Sequence, residues 1–270
     1  MRADVVVLPD AMALADAVAE RFVAAADEAI GVRGRFVVAL GGGATPRATF
    51  EQIASAPMIA RVDWTRVHVV WGDERCVSPD DPASNFRLAR ETVLDHVPVR
   101  PEHVHRIHGE VDPVVAAAQY EATLRQLFAT PTGPPRATSR ARIDLALLGL
   151  GPDGHTASLF PASEGLHEFV RWVIPAHTDA VPARRITLTP AVLNAAAEVV
   201  FVVSGVAKAD VLQRVLEGPH RAAELPAQAI APSNGHLRWY VDAAAASRLA
   251  PSTATASPDA AGASNGADGP

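Results

Sequence analysis

The sequence predicts an α/β protein, a three-layer α/β/α sandwich built on a mainly parallel sheet. Short β-branched runs alternate with Ala-rich helical stretches, the pattern of βαβ units. Two of the runs, Phe36-Val37-Val38-Ala39-Leu40 and Leu145-Ala146-Leu147-Leu148, are apolar at every position, as expected of strands covered on both faces. A chain of 270 residues, 49% hydrophobic and 20% charged, has enough material for one such core.

In chain order, strands are expected at 4–8, 36–40, 67–71, 143–148, 172–175, 199–204 and 238–241, where β-branched and aliphatic residues concentrate. Helices are expected between them at 11–30, 46–54, 85–96, 113–128, 190–196 and 207–216. Thr45 reads as the N-cap of the second helix, with Pro46 at its first position, and Ser84 as the N-cap of the third. Residues 130–142 are rich in Pro, Gly, Thr and Arg and read as a surface loop. Residues 1–249 form a single domain in this reading. From about Ala250 to residue 270 the composition falls to Ala, Ser, Thr, Gly, Pro and Asp, too polar to offset its ordering entropy, so a disordered tail is expected.

The net charge of −6 gives no reason to expect nucleic acid or an anionic membrane as partner. Any phosphorylated ligand would have to be drawn in by a local group of Arg, Lys and backbone N–H. The lone cysteine, Cys76, allows no internal disulfide, and there is neither a signal-like N-terminus nor an apolar stretch of membrane-spanning length. The expected location is the cytoplasm, and the expected state a monomer or weak homodimer.

Ligands in open α/β sheets gather at the carboxyl ends of strands, and four strand ends here carry unusual residues. After 36–40 comes Gly41-Gly42-Gly43-Ala44-Thr45-Pro46, suited either to a tight turn or to an anion at a helix N-terminus. After 67–71 comes Gly72-Asp73-Glu74-Arg75, a solvated corner or part of a site. After 143–148 comes Gly149-Leu150-Gly151-Pro152-Asp153-Gly154-His155-Thr156-Ala157-Ser158, the strongest signal. His is the side chain best matched to proton transfer near neutral pH, and Asp153 can set its tautomer. After 199–204 comes Gly205-Val206-Ala207-Lys208, with a cation where the helix dipole prefers an anion. Arg184-Arg185 adds cations that can reach the same region.

The segments GGGATP, WGDER, SNFRLARETVLDHV, GLGPDGHTASLFP, RITLTPAVLNAA and SGVAKADVL, in this order, resemble those of bacterial-type 6-phosphogluconolactonases, over roughly residues 5–242. The resemblance implies a Rossmann-like fold shared with glucosamine-6-phosphate deaminases and ribose-5-phosphate isomerases. It implies hydrolysis of 6-phospho-D-glucono-1,5-lactone without metal or organic cofactor. It casts His155 as general base, with Asp73 and Arg75 beside the substrate. Gly42, Gly43 and Thr45 fall on the phosphate-side loop, and Arg185 and Lys208 on basic positions facing the phosphate. Asp153 and Ser158, from the histidine segment, complete the candidate set.

Other chemistries are weaker fits. His103, His105 and His108 look like a metal tract but lack further ligands at zinc-like spacing. No nucleophile elbow surrounds Ser158. A deaminase or isomerase would need a further carboxylate close behind His155, and Glu164 lies beyond Pro161. A non-catalytic sugar-phosphate sensor of the same fold would normally carry a helix-turn-helix module, for which the few residues before the first strand leave no room.

Overall fold

The computed structural model describes residues 4–129, 142–253 and 255–256. It contains β1 (Asp4–Leu8), α1 (Ala11–Arg33), β2 (Phe36–Leu40), α2 (Ala44–Ile53), α3 (Ala56–Ile59), β3 (Val67–Trp71) and β4 (Asp73–Arg75). There follow α4 (Asn85–Ala89), α5 (Pro113–Leu127), β5 (Leu145–Leu148), β6 (Val173–His177), β7 (Arg184–Leu188), α6 (Pro190–Leu193), β8 (Glu198–Val203), α7 (Ala209–Glu217), β9 (His236–Asp242) and β10 (Thr255–Ala256).

The main sheet has the order β10-β1-β9-β8-β5-β2-β3, and every pair in it is parallel. Every residue of β2, β5 and β8 is buried, as expected of runs that are apolar throughout apart from Glu198 at the start of β8. From β2 the chain steps outward to β3, whereas from β5 it steps the other way through β8 to β9. The strand order therefore reverses between β2 and β5, where a crevice opens beyond the strand ends. Gly41 and Gly149, the residues after those two strands, stand at its mouth.

A second sheet was not expected. β4, β7 and β6 form a three-stranded antiparallel unit in which Arg75 pairs directly with Arg185. The strand expected at 172–175 belongs here rather than to the main sheet. β7 was missed because its Arg184-Arg185 start and central Thr187 hide a segment that is buried from Arg185 onward. α5 packs on this sheet and is locked to β3 by Tyr120, whose hydroxyl accepts from Trp71 N at 2.7 Å and donates to Trp71 O at 3.1 Å.

Other boundaries differ as well. The helix expected over 85–96 is α-helical only to Ala89 and continues as a π-turn, Arg90–Leu94, in which Asp95 N donates to Arg90 O at 3.1 Å. α2 begins two residues earlier than expected: Gly43 is its N-cap, and Thr45 sits inside the first turn. The polar C-terminal segment is placed further than its composition suggested. Glu217 Oε1 accepts from Ala250 N at 2.7 Å and Thr253 Oγ1 at 2.5 Å, and β10 pairs with β1. The expected 130–142 loop, apart from Arg142, lies outside the described residues, as do residues 257–270. No helix among the described residues is long and apolar enough to cross a membrane.

Candidate active site

A cleft of about 220 Å³ opens at the reversal point. Gly41, Gly42 and Gly43 form one wall, Gly149–Gly151 with His155 and Ala157 the opposite one, and Asp73, Arg75 and Lys208 supply its charges. Of the ten residues expected from sequence, Gly42, Gly43, Asp73, Arg75, His155 and Lys208 line this cleft. Thr45, Asp153, Ser158 and Arg185 are not among its lining residues.

His155 is positioned by its own loop. Gly151 N donates to His155 O at 2.8 Å and Gly154 N to Gly151 O at 3.1 Å, closing a tight turn. Asp153 Oδ1 lies 2.5 Å from His155 Nδ1 and accepts from His155 N at 3.1 Å. A carboxylate oxygen accepts, so Nδ1 carries the proton of the neutral ring and Nε2 keeps its lone pair. Burial would raise the Asp153 carboxyl, but the facing imidazole and the His155 N–H outweigh it and leave it below its ordinary value. Phe160 tilts against the imidazole at 4.9 Å between ring centres. A Cβ at Gly151 would fall 2.0 Å from His155 Nδ1, so the ring requires glycine beneath it.

The Asp73-Glu74-Arg75 segment is no solvated corner. Asp73 is 7% exposed, and its Oδ2 accepts from Ser158 Oγ at 2.6 Å. Ser158, expected to contact substrate, is buried with its hydroxyl turned to Asp73, because its N–H is held by Thr187 Oγ1 at 3.2 Å. It contacts the carboxylate and is not among the residues that line the cleft. Glu74 points away from the cleft and collects four donors: Arg75 N, Asn85 N, Phe86 N and Ser84 Oγ, at 2.7 to 3.1 Å. Burial raises its pKa, and those backbone N–H groups oppose the rise. Glu74 thus ties the start of α4 to β4, where Ser84 also caps the helix through Arg87 N.

The cations are arranged unevenly. Arg75 Nη1 donates to Ala83 O at 2.5 Å, which fixes its direction along the cleft. Arg185, across the β4–β7 ladder, is 8% exposed, and its Nε and Nη1 are buried without a hydrogen-bond partner among the described residues. Burial, with the Arg75 charge next to it, holds Arg185 below the ordinary guanidinium range against the pull of Asp73. Lys208, at the entrance to α7, is lowered by burial and supported by Asp153. The buried Arg185 with unspent donors and the half-buried Lys208 make a local anion-attracting field inside an acidic protein.

The histidine tract builds no ligand set. Val104 bridges to Val69 on β3, bringing His105 Nε2 to 3.2 Å from His68 Nδ1 and stacking the His103 ring on His68 at 3.8 Å. Among the described residues no group of three or more His, Cys, Asp and Glu is placed to hold a metal. Glu164, the carboxylate weighed for isomerase chemistry, is exposed in a 3₁₀ turn and does not line the cleft.

A family model described as glucosamine-6-phosphate isomerases/6-phosphogluconolactonase matches residues 9–239. The 6-phosphogluconolactonase of Nostoc sp. is 40% identical over 250 residues, which cover 92% of this chain and 99% of that protein. That of Haemophilus influenzae is 34% identical over 208 residues, 77% and 85% of the two chains. The solved 6-phosphogluconolactonase from Trypanosoma cruzi superposes with a TM-score of 0.80 over 92% of this chain and 97% of its own, at 23% identity, a likeness of fold. Sequence, fold and cleft together place this chain among the 6-phosphogluconolactonases, in the family they share with the glucosamine-6-phosphate isomerases.

Proposed function

We propose that this chain hydrolyses 6-phospho-D-glucono-1,5-lactone to 6-phosphogluconate, with His155 as general base. The observation that carries the reading is the 2.5 Å contact of Asp153 with His155 Nδ1, on the wall of a cleft that also holds the glycine loop and Lys208. With Nδ1 committed to Asp153, Nε2 takes a proton from water as its oxygen attacks C1. The new C–O bond opens the carbonyl π bond, and the negative charge falls on the carbonyl oxygen. Backbone N–H groups of the glycine segments and Arg75 are the donors available to that oxyanion. When the oxyanion collapses, the C1–O5 bond breaks and the imidazolium returns its proton to O5. The product is the open-chain acid, ionised at neutral pH.

A δ-lactone is an activated ester, so positioned base catalysis worth about a hundred- to ten-thousand-fold suffices without a covalent intermediate. The phosphate is bound at the Gly42-Gly43 turn and the first turn of α2 around Thr45, faced by Arg185 and Lys208, which fixes C1 at a distance from its anchor. Asp73, held by Ser158, accepts from sugar hydroxyls. The cleft is complete within one chain, consistent with a monomer or weak homodimer, and we place the reaction in the cytoplasm.

The test is lactone hydrolysis with substrate generated in situ from glucose 6-phosphate and coupled to 6-phosphogluconate dehydrogenase, read against the spontaneous rate. Acceleration that is lost by about two to four orders of magnitude in a folded His155→Ala supports function and base together. Full activity in that variant removes His155 from the role. No acceleration by the wild type redirects the search to ammonia release from glucosamine 6-phosphate, and then to binding without turnover.

A further inference from the structure

Asn85 stood outside the residues that the sequence marked as the site, and it does not line the cleft. It opens α4, is 1% exposed, and links two walls of the cleft from behind. Its Nδ2 donates to Asp73 O at 2.9 Å and to Asp73 Oδ1 at 3.1 Å. Both partners only accept, so the orientation of the amide is settled: the NH₂ faces Asp73 and Oδ1 faces the other way. Oδ1 points at the glycine loop, where a Cβ added to Gly42 would lie 1.7 Å from it. That oxygen is buried without a hydrogen-bond partner among the described residues.

A buried acceptor left unpaired is destabilising, so its retention calls for an explanation other than stability. The chemistry of Asp73 supplies one. Two acceptors on one residue need two N–H donors from a single side chain. A Lys or Arg would provide them but would neutralise the carboxylate that faces the cleft. A neutral amide holds the carboxylate without cancelling its charge, and its orphaned oxygen then abuts the Gly42 backbone. The backbone N–H of Asn85 is itself pinned by Glu74 Oε1 at 2.7 Å, so this spacer cannot drift.

We propose that Asn85 is a positioning residue of the reaction: it sets the spacing between Asp73 and the Gly42-Gly43 turn, so that one substrate meets carboxylate and phosphate-side loop at once. The inference rests on the lactonase reading for its substrate. It requires Gly42 to be glycine because of Asn85, and that coupling is testable.

The experiment compares wild type, Gly42→Ala, Asn85→Ala and Gly42→Ala/Asn85→Ala in the coupled assay, with folding followed by circular dichroism. Gly42→Ala and Asn85→Ala are each expected to lower kcat/KM by about 100-fold, the scale of an ångström-sized misplacement. The double variant is expected to be no worse than Gly42→Ala and to recover part of its loss, because removing the Asn85 side chain makes room for the new Cβ. Asn85→Asp sets a second carboxylate against Asp73, and the acid limb of its kcat/KM profile is expected to move to higher pH, which loss of packing alone would not do. Multiplicative losses in the double variant, or wild-type kinetics in a folded Asn85→Ala, overturn the proposal. If the wild type shows no lactonase activity, the same four proteins are titrated with 6-phosphogluconate by calorimetry. A non-multiplicative pattern of affinities then supports the spacing role apart from catalysis, and equal affinities overturn it.

Discussion

The imidazole of His155 is held by two constraints of different kinds, a charge-assisted hydrogen bond from Nδ1 to Asp153 and the empty space above Gly151. The first sets the tautomer and the second sets where the ring lies. Gly151→Ala tests the second alone, since it removes no functional group. Its Cβ would fall 2.0 Å from Nδ1, so the ring must shift, and kcat is expected to drop by about 100-fold with the fold preserved. Undiminished kcat in that variant would show that ring placement is not critical. Asp73 shows the same division of labour. Its carboxylate faces the cleft, while Ser158 and Asn85 hold it from behind. The contact of Ser158 with Asp73 was not legible in the sequence, since a hydroxyl three residues from His155 gives no sign of which partner it faces.

Among the elements, the edge of the main sheet carries the clearest dependence on pH. β3 presents His68 to His103 and His105 on the segment that bridges to Val69. Burial, with the neighbouring His103, His105 and Arg35 charges, pulls His68 down to about 4 from 6.5. His105 is lowered too, by burial and then by His103. A histidine depressed in the folded state leaves the unfolded chain binding the extra proton. Stability is therefore fully present above about pH 6.5 and is lost as pH falls towards 4. Urea unfolding of His68→Gln across this window is expected to give a flatter dependence of stability on pH than the wild type, whatever the offset at neutral pH. Parallel curves would place the acid sensitivity elsewhere. The small sheet matters in a different way, because the β4–β7 ladder sets Arg185 beside Arg75. Neither strand advertises the pairing: β4 is three residues long and β7 begins with two charges.

At the scale of the whole molecule, the polar C-terminal segment closes the sheet. Two hydrogen bonds to Glu217 and the pairing of β10 with β1 attach it. A chain ending after Leu249 loses these and is expected to melt a few degrees lower, at about 1 kcal/mol per lost hydrogen bond and about 2–4 °C per kcal/mol. One ending after Ala256 keeps them and should match the full chain in calorimetry. Both should keep lactonase activity, since the cleft is built from residues before Leu249. Equal melting temperatures for the two would mean that the attachment contributes nothing measurable.

The sequence by itself determined the fold class, six of the seven strands of the main sheet at or near their observed bounds, and the His155–Asp153 pair. These are short-range properties: burial on both faces is written as an unbroken apolar run, and Asp153 reaches His155 across two residues of one turn. The four glycine-rich or charged strand ends were legible for the same reason. Only the tertiary structure decided that Asp73 is buried and held by Ser158 and Asn85, that Glu74 serves α4 rather than the cleft, and that Arg75 and Arg185 lie side by side. Those contacts join segments up to 110 residues apart in a register fixed by packing of the whole sheet, and local pattern carries no record of which distant strand end will meet which.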